Sequence, residues 1–211
     1  MAESPRPAIT VLGFGRVTTD NTEHLVRRVG AIEQIDLRLE RDAPLAAHVA
    51  DINRAIDAAS CDWVLLVREH ETVGERLAAE IAESLSPAPR AWGYRVRTRP
   101  LYRGEPLELE PPGEGELRLL HRRHARFLPG GEPKIQGTVI RARETFDAST
   151  FVSEAEQEQW LAERGTRRGI VARTVVFAID ALRCGPLRAG SNGLRYLWVN
   201  AAWRRSAEGL R

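Results

Sequence analysis

The segment Trp63-Val64-Leu65-Leu66-Val67 is the strongest strand in the chain, and it stops abruptly at Arg68-Glu69-His70-Glu71. A helix precedes it from about Leu45 to Ala59, with Val49, Ile52 and Ile56 at helical spacing. Another helix follows to about Leu85. Upstream, Ile9-Thr10-Val11-Leu12 reads as a buried strand ended by Gly13 and Gly15. Asp20-Asn21-Thr22 is suited to cap a helix carrying Leu25, Val26 and Val29 on one face. Ile35 to Leu39 alternates as a second strand. Strands alternating with helices predict an α/β fold with a mostly parallel sheet flanked by helices. In such sheets ligands bind beyond the carboxyl ends of the strands. The tetrad Arg68 to Glu71 falls at such an end.

The pattern changes after Ser86, where prolines punctuate short alternating segments, Ala91 to Arg97 and Leu117 to Leu120. These predict antiparallel strands or extended loops beside the first sheet. From Ser153 the chain turns helical. Ser153 and Glu156 have capping-box spacing, and one helix runs to about Arg164. A second spans about Gly169 to Leu182, and a third starts near Asn192 and includes Trp198 and Trp203. The expected division is an α/β domain over 1–152 and a helical appendage over 153–211.

With 211 residues the chain is long enough to bury a core without staples, and 43% hydrophobic and 28% charged residues are ordinary for a globular protein. A formal charge of +2 argues against a dedicated nucleic-acid binder. Lys134 is the only lysine among 31 basic residues, which points to GC-rich coding bias. Cys61 and Cys184 lie far apart, without a Cys or His at metal-ligand spacing, and read as reduced core thiols. Met1 to Pro5 lacks the features of a signal peptide, and no apolar run reaches membrane-spanning length. A cytoplasmic protein is expected.

Asn53-Arg54-Ala55, then Asp62-Trp63 and the apolar strand, resemble the helix and strand of inverting glycosyltransferases of family 2, which have the GT-A fold. Thr18 to Thr22 with Leu25 and Gly30 is similar to that family's Ser-Thr-Asp-Gly-Thr turn and helix. Glu116 to Arg123 with Ala125-Arg126-Phe127 resembles the Arg-Leu-Phe-Arg-Arg…Arg-Phe stretch of the bacterial cell-envelope and lipopolysaccharide-core branch. Arg183 to Leu187 with Gly190 and Gly193-Leu194 looks like that branch's C-terminal helical hairpin.

The resemblance implies a truncated GT-A-like, Rossmann-like fold. It implies transfer of a hexose from a nucleotide sugar, such as a UDP-hexose, to an envelope glycan or lipid-linked acceptor, with inversion. It places Asp20, Asn53, Arg68 and Glu69 around the donor. It also implies a divalent metal, Mn or Mg, on the donor diphosphate, with His70 and Glu71 as the available ligands. The departures are specific. Arg68, Glu69 and His70 stand where the family has Asp-x-Asp, so a conventional Mg²⁺ site lacks its oxygens. A guanidinium at Arg68 is able to contact the diphosphate directly instead. If Ile9 to Leu12 matches the family's second strand, the first strand-helix unit is absent and Gly13 to Arg16 stands where an Asp is expected. If it matches the first, a later unit is shortened; in either register the family's Asn-Glu turn has no counterpart.

Inverting transfer requires a general base. Glu132 matches the Glu of the branch's His-Glu pair, with Gly131 in the His position, and is the candidate. His121 and His124 lie on a basic run and read as surface or structural groups. The alternative function is a catalytically inactive relative that binds glycan, membrane or a partner enzyme. The C-terminal helices carry Ile170, Val171, Val175, Val176, Phe177, Ile179 and Leu182, flanked by Arg167, Arg168, Arg173 and Arg183. Such a face suits either a peripheral contact with the inner membrane or packing onto the α/β domain or a dimer partner.

Overall fold

The computed structural model describes residues 8–15, 17–29, 31–38, 45–85, 89–107 and 114–151. Beyond these it describes 155, 157–159, 162, 165–167, 174, 177–182, 186–201 and 203–205. The chain divides into two compact units, one of residues 1–98 and 112–147, the other of 99–111 and 148–211.

The first unit is built on strands β1 (Ala8–Phe14), β2 (Ala31–Leu37) and β3 (Trp63–Arg68). β1 runs parallel to both of its neighbours, with Leu12 level with Ile35 on one side and Leu66 on the other. Next come β7 (Glu116–His121), antiparallel to β3, and β5 (Gly93–Tyr102), antiparallel to β7. The register between β5 and β7 shifts at Tyr94/Arg95. The sheet order is β2-β1-β3-β7-β5-β10-β4, where β4 is Glu71–Thr72 and β10 is Val139–Phe151. This is the α/β architecture expected, with the parallel block at one side and the predicted antiparallel strands laid beside it. A separate hairpin pairs β8 (Ala125–Phe127) with β9 (Pro133–Ile135).

Both faces of β1 and β3 are buried, which is why their sequence shows no polar alternation. Ile9, Val11, Leu65 and Val67 pack with helices α1 (Thr19–Arg28) and α3 (Glu75–Ser84) through Leu25, Leu77 and Ile81. Leu12, Val64 and Leu66 point the other way, onto Ile52 and Ile56 of α2 (Val49–Ala58). The period-2 geometry of a strand sorts these side chains between two cores. A 3-10 turn, Leu45–His48, leads into α2, so the helix expected from Leu45 begins tighter than an α-helix.

Several boundaries differ from the sequence expectation. β2 lies earlier than Ile35 to Leu39. The cap of α1 is Thr18, not the Asp20 to Thr22 trio. The hydroxyl and the N–H of Thr18 both donate to Asn21 Oδ1, at 2.7 and 2.8 Å. Asp20 falls inside the first turn, where its charge complements the helix dipole. Cys61 is half-buried with a free thiol, while Cys184 lies outside the described residues.

The second unit contains helix α4 (Pro186–Ala201) and two short antiparallel strands, β11 (Gly165–Arg167) and β12 (Trp203–Arg205). Trp203 therefore belongs to a strand and not to the last helix. β6 (Glu105–Pro106) pairs with the end of β5. Tyr196 of α4 meets Tyr102 edge to face at 5.5 Å, and Trp198 meets Phe177 at 5.3 Å. Ile179 and Leu182 are exposed, at 44% and 77%. Ile170, Val171, Val175, Val176, Arg168, Arg173, Arg183, Ser153 and Glu156 lie outside the described residues. Among the described residues no helix is long and apolar enough to cross a membrane.

An aromatic cluster closes the end of the sheet where β3 begins. His121 sits edge-on to Trp63 and Trp92, at 5.3 and 5.0 Å, and Trp92 stacks on His124 at 4.2 Å. Gly137 adopts a positive φ of 127°, and a Cβ there would collide with the Trp92 indole. His121 Nδ1 is buried and has no hydrogen-bond partner among the described residues. Desolvation holds the His121 pKa below the ordinary histidine value. Asp62 opposes this, while His124, Arg123 and Arg122 reinforce it. The unfolded chain therefore takes up this proton first, so the stability contribution is full above about pH 6.5 and falls as pH drops below it. His121→Phe, which keeps a ring without the proton site, is expected to flatten the decline of Tm between about pH 8 and about pH 5.5. Thermal melts of both proteins across that range check this.

Candidate functional site

The site starts from the turn that ends β3. Glu69 and His70 form a tight turn instead of continuing the strand, and β4 begins at Glu71. Glu71 is thereby folded back over the end of β3. Its side chain is fully buried. Oε2 accepts the Arg68 N–H at 2.9 Å, and Oε1 accepts Arg118 Nη2 at 2.7 Å and the Thr98 hydroxyl at 3.2 Å. Asn21 locks the turn from the α1 side, with Nδ2 donating to the carbonyls of Glu71 at 2.5 Å and Glu69 at 3.2 Å. Sequence reasoning used Asn21 only as a cap and missed this second task.

Arg118 comes from β7 and is 1% exposed. Burial pushes its pKa below the ordinary arginine value, with Glu71 and Glu116 opposing. Its guanidinium carbon lies 5.6 Å from the centre of the Phe146 ring. Glu116, two residues earlier on β7, reaches both cations. Arg68 Nη2 donates to its two oxygens at 3.1 and 2.9 Å, and Arg118 Nη2 lies 3.1 Å from Oε2.

This network forms one wall of a cleft of about 400 Å³ beyond the carboxyl ends of β1 and β3. Its charged lining is Arg68, Arg95, Glu116, Arg118 and Glu132, and Phe14, Leu66 and Phe127 contribute its apolar lining. Glu132 is presented by the β8–β9 turn, where Gly131 N–H donates to the Leu128 carbonyl and Leu128 N–H to that of Glu132, both at 2.8 Å. Gly131 takes the positive φ, 82°, that this turn needs. The structure thus brings Arg68 and Glu132, 64 positions apart in the sequence, to one cleft.

The other expected residues stand elsewhere. Asn53 Nδ2 donates to the Phe127 carbonyl and its Oδ1 accepts the Phe127 N–H, both at 2.9 Å. It clamps β8 to α2 and does not line the cleft. Asp20 is exposed on α1, and Glu69 packs against Gly15; neither lines the cleft. His70 is at the surface of the turn. Desolvation of its ring holds its pKa below the ordinary value, against the pull of Glu71 and helped by Arg68.

The residues at this turn do not fit the divalent metal that the resemblance implies. Both oxygens of Glu71 are committed to donors, and two guanidiniums flank it. Among the described residues no group of three His, Cys, Asp or Glu side chains is placed to hold a metal ion. The groups left at the turn are guanidinium N–H donors, where a divalent metal needs oxygen ligands.

No family model matches this chain, and no curated protein matches it. Among solved structures it is similar to residues 1–349 of S. aureus TarS, a cell-wall glycosyltransferase, at 10% identity and a TM-score of 0.37. That alignment covers 92% of this chain and 71% of the other.

Removing one member of a buried ion pair leaves the other charge uncompensated. Glu71→Leu is expected to destabilise the fold by about 3–5 kcal/mol. Arg118→Met added to it should restore a large part, because the stranded cation is gone. Urea unfolding of the single and double variants measures both.

Proposed function

We propose that the chain is a divergent, metal-independent glycosyltransferase-like protein that takes a nucleotide-sugar donor in the cleft beyond β1 and β3. The observation that carries this reading is the joint lining of that cleft by three arginines and Glu132. It stands at the sheet end where α/β folds bind ligands. The sequence resemblance to family 2 supplies the reaction class, with a hexose as the group moved and an envelope glycan or lipid-linked alcohol as acceptor.

In this reading Arg68 and Arg118, with Arg95 beside them, meet the diphosphate, supplying the positive charge that a metal supplies elsewhere. The acceptor hydroxyl attacks the anomeric carbon from the face opposite the leaving group. Glu132 takes the hydroxyl proton as the new C–O bond forms. The bond to the diphosphate breaks, and its electron pair leaves with the nucleoside diphosphate, stabilised by the guanidiniums. Phe14, Leu66 and Phe127 shield the reacting centre from water. Asn53 acts at one remove, by fixing β8 and so the turn that carries Glu132.

Calorimetry with UDP-hexoses in buffer containing EDTA tests the donor half. Binding that survives chelation and weakens by tenfold or more in Arg68→Ala is expected; absence of binding at millimolar nucleotide sinks the reading. Glu132→Gln is expected to abolish turnover while leaving donor affinity within about twofold, since only the proton acceptor is lost. Donor binding with no turnover against any acceptor would leave a nucleotide-sugar-binding relative without catalysis.

A further inference from the structure

We propose that Glu116 is the specificity-determining residue of this cleft: an internal carboxylate held on Arg68 and Arg118, which a ligand must displace and which two adjacent phosphates displace better than one. The inference rests on the reading of the cleft as a nucleotide-sugar site and names the contact that selects within it.

Glu116 bridges the two guanidiniums, accepting from Arg68 through both oxygens and lying 3.1 Å from Arg118 Nη2. A carboxylate so held occupies the position a phosphate would take, because the Nη2 atoms of Arg68 and Arg118 converge on it and donate to either oxyanion. Glu116 is also the member able to leave. Its side chain is 59% exposed, whereas that of Arg118 is 2% and that of Glu71 is 0%.

Its backbone cannot follow. Gly115 has a φ of 82°, and a Cβ there would lie 2.9 Å from the main chain of Val96. Arg95 Nη1 donates to the Gly115 carbonyl at 3.2 Å. The carboxylate therefore swings out by side-chain rotation from a fixed anchor. The Nε of Arg118 is buried as well and has no hydrogen-bond partner among the described residues.

Charge decides which ligand succeeds. Arg68, Arg95 and Arg118 are balanced by Glu71, Glu116 and Glu132, so the resting site is close to neutral. A single phosphate takes the place of the one carboxylate and adds little charge beyond it. A diphosphate brings oxygens for both guanidiniums and more charge than it displaces. Glu116→Gln keeps the shape and removes that competition.

The experiment is calorimetric titration of the full chain with inorganic pyrophosphate and with inorganic phosphate, in EDTA. Glu116→Gln is expected to bind pyrophosphate at least tenfold more tightly than wild type, with a smaller gain for phosphate. Arg68→Ala added to Glu116→Gln should abolish the gain. Equal affinities in wild type and Glu116→Gln, or equal gains for the two anions, overturn the inference. No binding of pyrophosphate to either protein overturns it together with the donor reading. A pyrophosphate gain without UDP-hexose binding retains the inference and overturns the donor reading alone. If Glu116→Gln fails to fold by circular dichroism, Glu116→Asp withdraws the carboxylate by one methylene. It must then show the same preference for pyrophosphate, at reduced size, for the inference to stand.

Discussion

The carboxylate of Glu71 has no exposed surface, and it gathers the Arg118 guanidinium, the Thr98 hydroxyl and the Arg68 N–H around two oxygens. Taking such a charge out of water is costly, and the Coulomb attraction of one arginine repays that cost only when further donors complete the shell. Here they do. The three donors come from β3, β5 and β7, so one side chain fixes the relative placement of three strands at the same end of the sheet. A hydrophobic replacement could equal its stability but would leave the turn after Arg68 without a director. Asn21 adds the helix side of the same arrangement, because its amide reads the two carbonyls that the turn presents.

A turn held in this way excludes one chemistry and favours another. With Glu71 folded inward and saturated, the end of β3 presents the partly exposed Arg68 guanidinium, with Arg118 buried behind it, where a metal-dependent site offers carboxylates. A cation brought there finds the Glu71 oxygens already taken; an oxyanion finds donors that are already oriented. Preorganisation matters because donors that are already oriented cost no reorganisation when charge develops on a leaving group. The same turn explains why Glu69 and His70 miss the cleft. They are the residues consumed in reversing the chain.

The elements that could be read from sequence are those whose physics is local. β1 and β3 announce themselves because burial on both faces forbids polar residues, and α2 and α3 because their apolar positions recur at the helical period. β10 was not legible: its buried positions include Ala142 and Ala148, too small to stand out against Arg141, Arg143 and Glu144. The strand at Trp203 hid within what reads as a continued helix, since its partner is Gly165–Arg167, far upstream. In the site, Arg68 and Glu132 could be singled out, but their partners could not. Arg118 lies 47 residues from Glu71, and Glu116 lies 48 from Arg68. Those distances are closed by the register of β7 on β3, which no local pattern encodes. One signal was present: Glu116-x-Arg118 at the start of an expected strand must place opposite charges on one face.

The arginine excess takes on a different meaning at this cleft. Arginine stands almost everywhere this chain carries a basic side chain, and several of its pairs among the described residues are exposed. Arg54 with Asp51 and Arg126 with Asp57 are of this kind, and pairs so open to water contribute about 1 kcal/mol at most. What separates Arg118 from them is its surroundings, since the side chain is the same but nearly all its surface is withdrawn from solvent. Arg68 shows what the fork adds beyond charge. One nitrogen spans both oxygens of Glu116 while the other lies 3.8 Å from Glu71. An ammonium group, a single point on a flexible stem, is poorly shaped to address two carboxylates at once. An arginine-rich composition thus supplies side chains of the right shape, and burial sets Arg118 apart among them.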